Sequence, residues 1–160
     1  MLELLKRRKT LWLLFVAILA LTVVFQLISQ HWGMTFLDAL SSPEAAKAHV
    51  AALSAEQIRV HIWTTAVVDV LYPLVYGPFF AGVALACFPR FGLMLAAPSF
   101  LVIGVDITEG VVQIAGLLGE PQWLDWKAVL TPAKFGLFFI GLGIAVVGWL
   151  KWGWEKVRAS

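Results

Sequence analysis

Four ionisable side chains, Asp69, Asp106, Glu109 and Lys134, sit in stretches otherwise apolar enough to span lipid. A charge near a bilayer centre costs about 2.5–3.5 kcal/mol on insertion scales, so such residues normally face a bundle interior or a wet cavity and mark a functional site. Asp106 and Glu109 are three residues apart on one helix face, where like charges repel. The pair is therefore expected to share a proton, with Lys134 as counter-ion. A carboxylic acid beside a carboxylate is the arrangement general acid–base catalysis uses, and a proton-coupled carrier uses it equally. His61, Asp69, Asp106 and Glu109 would also offer imidazole and oxygen ligands to a metal. There is no His-x-x-x-His pair, however, and Lys134 would compete. No cofactor is expected; a divalent metal at Asp69, Asp106 and Glu109 is the minor alternative.

Helical spacing gathers further polar residues around these four. His61, Thr65, Asp69, Tyr72 and Tyr76 follow steps of four, four, three and four along one face. Pro73 and Pro78 interrupt that helix and free carbonyls near the site. Asp106, Glu109 and Gln113 share a face of the next helix, and Thr131-Pro132 precedes Lys134 in the last. Thr22 and Gln26 form one stripe of the first. Tyr72, Tyr76, Gln113, His61 and Gln26 are accordingly the candidate ligand-binding residues. His61, near the interface, is expected to be a solvated residue more often than a ligand or base.

The elements that must position these residues are membrane helices. Of 160 residues, 61% are hydrophobic and 14% charged, with mean hydropathy +0.86, far more apolar than a soluble domain. The runs read as four helices at about 10–28, 55–88, 91–118 and 127–150, each long enough to cross a hydrocarbon core of ~30 Å at ~1.5 Å per residue. The expected fold is all-α: one polytopic four-helix transmembrane domain over 1–160, with no internal repeat. The first run exceeds a signal h-region and lacks an Ala-x-Ala-like site, so it reads as a retained helix.

Charge sets the expected orientation. Lys6, Arg7, Arg8, Lys9, Arg90, Lys151, Lys156 and Arg158 fall on one side; Lys47, Arg59 and Lys127 fall on the other. The richer side should be cytoplasmic, with both termini inside. Trp12, Trp149, Trp152 and Trp154 mark that interface, and Trp32, Trp63, Trp123 and Trp126 the outer one. The net charge of +2 is accounted for by this pattern, so no nucleic-acid partner is expected. Counted inward from the outer tryptophans, Asp69, Glu109 and Lys134 lie roughly 9–14 Å down and Asp106 somewhat deeper. The inner half holds no ionisable group before Arg90, so a cavity should open outward or to the outer leaflet.

The outer segment, 29–54, is expected to carry a short helix near 43–53, because Ser41-Ser42-Pro43-Glu44 combines an N-cap, an early helical Pro and a first-turn acid. Ser54-Ala55-Glu56-Gln57 matches a capping box that begins the second long helix. The segment should lie on the outer face as a connector or as a lid. Gly136, Gly141, Gly143 and Gly148 of the last helix are expected to allow close packing. Lone Cys87 has no neighbouring acid or base and forms no intramolecular disulfide.

The stretch Asp69-Val70-Leu71-Tyr72-Pro73-Leu74-Val75-Tyr76, then Asp106-Ile107-Thr108-Glu109, then Lys134, resembles a group of small bacterial four-helix membrane proteins. Those carry Asp-x-x-Phe/Tyr-Pro-x-x-Tyr, Asp-x-x-Glu-Asn and a Lys early in the last helix, and the resemblance spans roughly residues 35 to 150. Gly110 stands where that group has Asn. The resemblance implies a bacterial inner-membrane protein with these residues as its common site, and implies no activity. Signal peptidase II is similar in size and helix number, but its Asn-x-x-Asp-Arg and Phe-Asn-x-Ala-Asp stretches are absent. It serves only as an analogy for carboxylate chemistry in such a bundle.

The leading functional expectation is an enzyme acting on a membrane lipid or an apolar small molecule. Asp106 or Glu109 would be the acid–base residue, Asp69 the second carboxylate and Lys134 their electrostatic partner. The alternatives are proton- or cation-coupled transport by a homo-oligomer, and a structural or partner-binding membrane subunit whose buried charges only join helices.

Overall fold

The computed structural model describes residues 2–158, apart from the side chains of residues 155–157. The Lys156 side chain, counted above with the basic end, lies outside the described residues. The chain is helical throughout, and no strand occurs among the described residues. A single turn, α1 (Leu2–Leu5), precedes α2 (Arg8–Trp32). A 3-10 turn at Leu37–Ala39 leads to α3 (Pro43–Ala52) and α4 (Ala55–Thr64). α4 continues through a π-helical turn (Thr65–Asp69) into α5 (Val70–Cys87). α6 (Gly92–Leu117), a 3-10 helix (Pro121–Trp126) and α7 (Lys127–Arg158) complete the chain. Four stretches, Arg8–Trp32, Ala55–Cys87, Gly92–Leu117 and Pro121–Trp154, are long and apolar enough to cross a membrane.

Local chemistry explains where these elements begin and end. α2 runs to Trp32 because Gly33 follows it. With φ at +56°, Gly33 adopts the left-handed conformation that an L side chain resists, and the amides of Gly33 and Met34 close onto the carbonyls of Gln30 and Ser29. Ser42 accepts a hydrogen bond from the amide of Ala45, with Pro43 at the first helical position of α3. The capping box forms at the start of α4: Ser54 accepts from the Gln57 amide while the Gln57 side chain accepts from the Ser54 amide.

α5 is the central helix, packed on α6, α7 and α2. Its core is aromatic. Tyr76, Phe79, Phe80 and Val83 pack with Leu11 of α2, Val102 of α6 and Ala145 of α7, and Phe138 meets the rings of Tyr76 and Phe80 edge-on at 5.1 and 5.4 Å. Trp149 packs against Trp12, Phe15 and Phe79, joining α2 to α7 at the same end. Only part of the glycine expectation for α7 holds. A Cβ at Gly141 would lie 3.1 Å from the Phe80 ring and one at Gly148 3.0 Å from Val83, whereas Gly136 and Gly143 face open space.

The segment between α2 and α4 folds down over one end of the bundle. Leu37 and Ala46 bury against Leu117 and Leu124, with Val50, Leu53, Ile58 and Ile62 around them. Lys47 adds an ion pair of 2.5 Å to Asp125. The exterior is apolar: Leu13, Val16, Leu19, Val23 and Leu27 form an exposed stripe along α2, and Phe135, Phe139, Ile140 and Val147 are exposed on α7.

Candidate functional site

The site begins with a proline. Pro73 has no amide hydrogen, so the carbonyl four residues earlier, that of Asp69, loses its α-helical donor. The preceding turn, Thr65–Asp69, widens into a π turn, a feature frequent at functional sites. Thr64 loosens the same region by donating its hydroxyl to the carbonyl of Val60 at 2.9 Å. The widened turn separates the sequence stripe into two groups. Asp69, Tyr72 and Tyr76 line an internal cavity. His61 instead is fully buried, its Nε2 accepting from the amide of Leu37 at 3.2 Å and its ring edge-on to Phe36. It is neither solvated, as its place near the interface implied, nor a cavity residue; it holds the 3-10 turn in place.

That turn carries a residue the helical periodicities miss. Asp38 reaches into the bundle and accepts from Lys134, and from Gln113 Nε2 at 3.2 Å. Lys134 Nζ also lies 3.0 Å from Asp106 Oδ1 and 2.7 Å from Glu109 Oε2. Its ammonium thus contacts three carboxylates from two elements, the 3-10 turn and α6. Glu109 is entirely buried and doubly held: its Oε1 accepts from Lys127 Nζ at 2.6 Å and from the Thr131 hydroxyl. Lys127, expected among the interfacial cations, is likewise fully buried. Tyr76 donates to Asp106 Oδ2 at 2.6 Å. A chain of contacts therefore runs from the Tyr76 hydroxyl through Asp106, Lys134 and Glu109 to Lys127.

The cavity beside this network has a volume of about 440 Å³. Its polar wall is Asp38, Asp69, Asp106, Lys134 and the Tyr76 hydroxyl. The rings of Phe25, Phe36, Tyr72 and Phe138 form most of the remaining lining, together with the neutral polar side chains of Thr22, Gln26, Ser29 and Thr35. One rim is α2, through the exposed Thr22 and Gln26, and the other is α7, through the exposed Phe135. Tyr72 bridges toward α2: its hydroxyl lies 3.1 Å from Thr22 Oγ1 and its ring is edge-on to Phe25. Of the residues singled out by sequence, Asp69, Asp106, Lys134, Tyr72, Tyr76 and Gln26 meet at this cavity. Glu109 and Gln113 stand behind its wall, and His61 lies outside it. The aromatic layer of Phe79, Phe80 and Phe138 closes the bundle beyond. A separate pocket of about 340 Å³ lies at the far end, among Lys6, Arg8, Cys87, Lys151 and Trp152.

Charge is unevenly resolved within the site. Asp38, Asp69, Asp106 and Glu109 face Lys127 and Lys134, two formal negative charges in excess. Three of the carboxylates contact an ammonium, whereas Asp69, only 8% exposed, has no ion pair or hydrogen bond among the described residues. Burial pushes the Asp38 carboxyl up, but the charge and hydrogen bond of Lys134 outweigh it and hold Asp38 below the usual carboxylate range. One oxygen each from Asp38, Asp69 and Asp106 falls within a 4.8 Å cluster, a donor set suited to a hard cation. The Lys134 ammonium already sits against two of the three.

Fold and site together define a class: an all-helical chain with four helices able to cross a membrane and an ion-paired carboxylate cluster opening on an aromatic cavity. No family model, curated protein or solved structure matches the chain, so its function is argued from this geometry.

Proposed function

We propose that this protein is a membrane-embedded enzyme of the bacterial inner membrane that acts on a lipid or apolar small molecule by acid–base chemistry. Both termini would lie in the cytoplasm, since Lys6, Arg7, Arg8, Lys9, Arg90 and Lys151 gather at the end that carries them. The acidic cavity then belongs to the outer half, its mouth between α2 and α7 facing the outer leaflet.

The observation that carries the reading is the Tyr76–Asp106–Lys134 chain on the cavity wall, with a 2.6 Å hydroxyl-to-carboxylate bond and a 3.0 Å carboxylate-to-ammonium contact. A hydroxyl hydrogen-bonded to a carboxylate relays a proton between that carboxylate and a molecule in the cavity. Lys134 stabilises negative charge that develops beside it, in surroundings dry enough to make the interaction count. Asp106 is thus the acid–base residue and Tyr76 its relay. Glu109, saturated by Lys127, Thr131 and Lys134, positions the ammonium. Coupled transport needs access to the acids from both faces, and the aromatic layer of Phe79, Phe80 and Phe138 favours the enzyme reading over it.

The test uses the purified protein in a total bacterial polar lipid extract, with lipid species followed by mass spectrometry. Wild type should consume one species and produce another. Asp106→Asn should abolish the conversion and Tyr76→Phe slow it by at least about 10²-fold. No change in any species with wild type, or full activity in both variants, would overturn the assignment.

A further inference from the structure

The cavity contains a carboxylate that the ion-pair network does not use. Asp69 is only 8% exposed and lines the cavity, yet it has no hydrogen-bond or ion-pair partner among the described residues. Within reach of the same space are the rings of Phe25, Phe36, Tyr72, Tyr76 and Phe138. They form a continuous aromatic wall: Phe25 lies 5.4 Å from Phe36 and 5.8 Å from Tyr72, Tyr72 5.4 Å from Tyr76, and Tyr76 5.1 Å from Phe138.

We infer that the cavity recognises an amphiphile with a cationic amine head, the head seated between Asp69 and the aromatic wall and the apolar tail leaving between α2 and α7. This rests on reading the cavity as a substrate site and names the substrate's chemical class. Three observations converge on it. The site carries two more carboxylates than ammoniums, so an anionic head is repelled and a neutral one leaves the imbalance in place. Ring faces attract ammonium groups, and most strongly where water is scarce. At about 440 Å³ the cavity is of the size that holds a small organic molecule rather than a bare ion, and Lys134 already fills the niche between Asp38 and Asp106 that an inorganic cation would take.

Asp69 is the natural anchor because binding there breaks nothing. Asp38, Asp106 and Glu109 would each have to surrender Lys134 to receive a new cation. The π turn that presents Asp69 is therefore a recognition device, while Asp106 and Tyr76 remain for the chemistry.

The experiment compares three probes of equal tail length, dodecyltrimethylammonium, dodecanol and dodecanoate, by equilibrium binding to the full-length protein in maltoside detergent, whose uncharged head supplies no competing amine. The ammonium probe should bind at least about tenfold tighter than the alcohol, and dodecanoate weakest; Asp69→Asn should remove that preference. If Asp69→Asn does not fold, Phe25→Leu with Tyr72→Leu should narrow the ratio between ammonium and dodecanol binding. Equal binding of the ammonium and alcohol probes to wild type would overturn the inference and leave the enzyme reading standing. So would Asp69→Asn retaining the wild-type preference, or calcium chloride displacing the ammonium probe with no tail dependence. Failure of wild type to bind any of the three would sink the substrate cavity itself. Loss of lipid turnover with probe binding intact would count against the enzyme reading alone.

Discussion

Around Glu109, α6 and α7 are joined by two lysines, a threonine hydroxyl and the carboxylates that share Lys134. Around Phe80 and Phe138, where α5 meets α7, the contact consists of rings at 5.4 Å and a glycine, Gly141, that lets them close. The apolar region gains stability from each atom it buries and tolerates changes that keep volume. The charged region is different. Taking ions out of water is costly, and the pairing returns that cost only while every partner is present. The lesson is a division of labour. The aromatic region holds the bundle shut, and the charged region is held by mutually dependent ion pairs, with one carboxylate, Asp69, facing the cavity outside them.

Removing the hub of the charged region should have the largest effect. Lys134→Met keeps length and apolar bulk but leaves Asp38, Asp106 and part of Glu109 without their cation. It should destabilise the protein by about 3–5 kcal/mol, as breaking a buried pair does. Unfolding in mild detergent titrated with dodecyl sulfate measures this. A loss below about 1 kcal/mol would mean that the cluster is solvated, because exposed ion pairs contribute no more than that, and the contrast between the two regions would collapse.

Phe80→Ala probes the other region at similar or slightly smaller cost, about 3–5 kcal/mol, by opening a cavity among Tyr76, Phe79 and Phe138. The difference is in what else changes. The loss should be the same at pH 4 and pH 8, since no group that titrates in that range touches the ring. A pH-dependent loss would show that the aromatic layer and the ion pairs are one cooperative unit.

How much of this was legible in the sequence follows the same division. Asp69, Tyr72, Tyr76, Asp106, Glu109 and Lys134 stand out because a charge or hydroxyl in an apolar helix is conspicuous and its face follows from spacing. The capping box at Ser54 was readable for the same reason, being local. Asp38 was not, because it sits in a 3-10 turn outside any periodic element, and only tertiary folding of the segment over α6 brings it to Lys134. Lys127 was misjudged by its neighbours: Trp123 and Trp126 mark it as interfacial, although Lys127, Thr131 and Lys134 form a stripe at helical spacing that pointed inward. The π turn was implicit in Pro73, yet a proline alone does not say whether a helix will kink, break or widen. His61 drew attention by type, and its role as acceptor for the Leu37 amide depends on a contact no spacing reveals.

The smallest expected effect lies where the two regions' rules can be separated most cleanly, at Asp38. Its side chain is 24% exposed, and Lys134 holds it below the ordinary carboxylate value despite the opposing effect of burial. A carboxyl whose folded-state value is depressed contributes stability that is complete above its unfolded value, near pH 3.9, and is lost as pH falls through the lower, folded value. At pH 7 wild type should therefore exceed Asp38→Asn by about 1.5–3 kcal/mol, the worth of a hydrogen bond to a charged group. That gap should shrink only below about pH 4. Unfolding curves of the two proteins between pH 3 and 8 supply the comparison, and because both retain Asp69, Asp106 and Glu109, their difference isolates the one carboxylate. A gap that persists unchanged to pH 3 would mean that Asp38 acts through packing alone. The segment between α2 and α4 would then belong with the aromatic region, as a lid held by Leu37 and Ala46, and not with the charged cluster it reaches into.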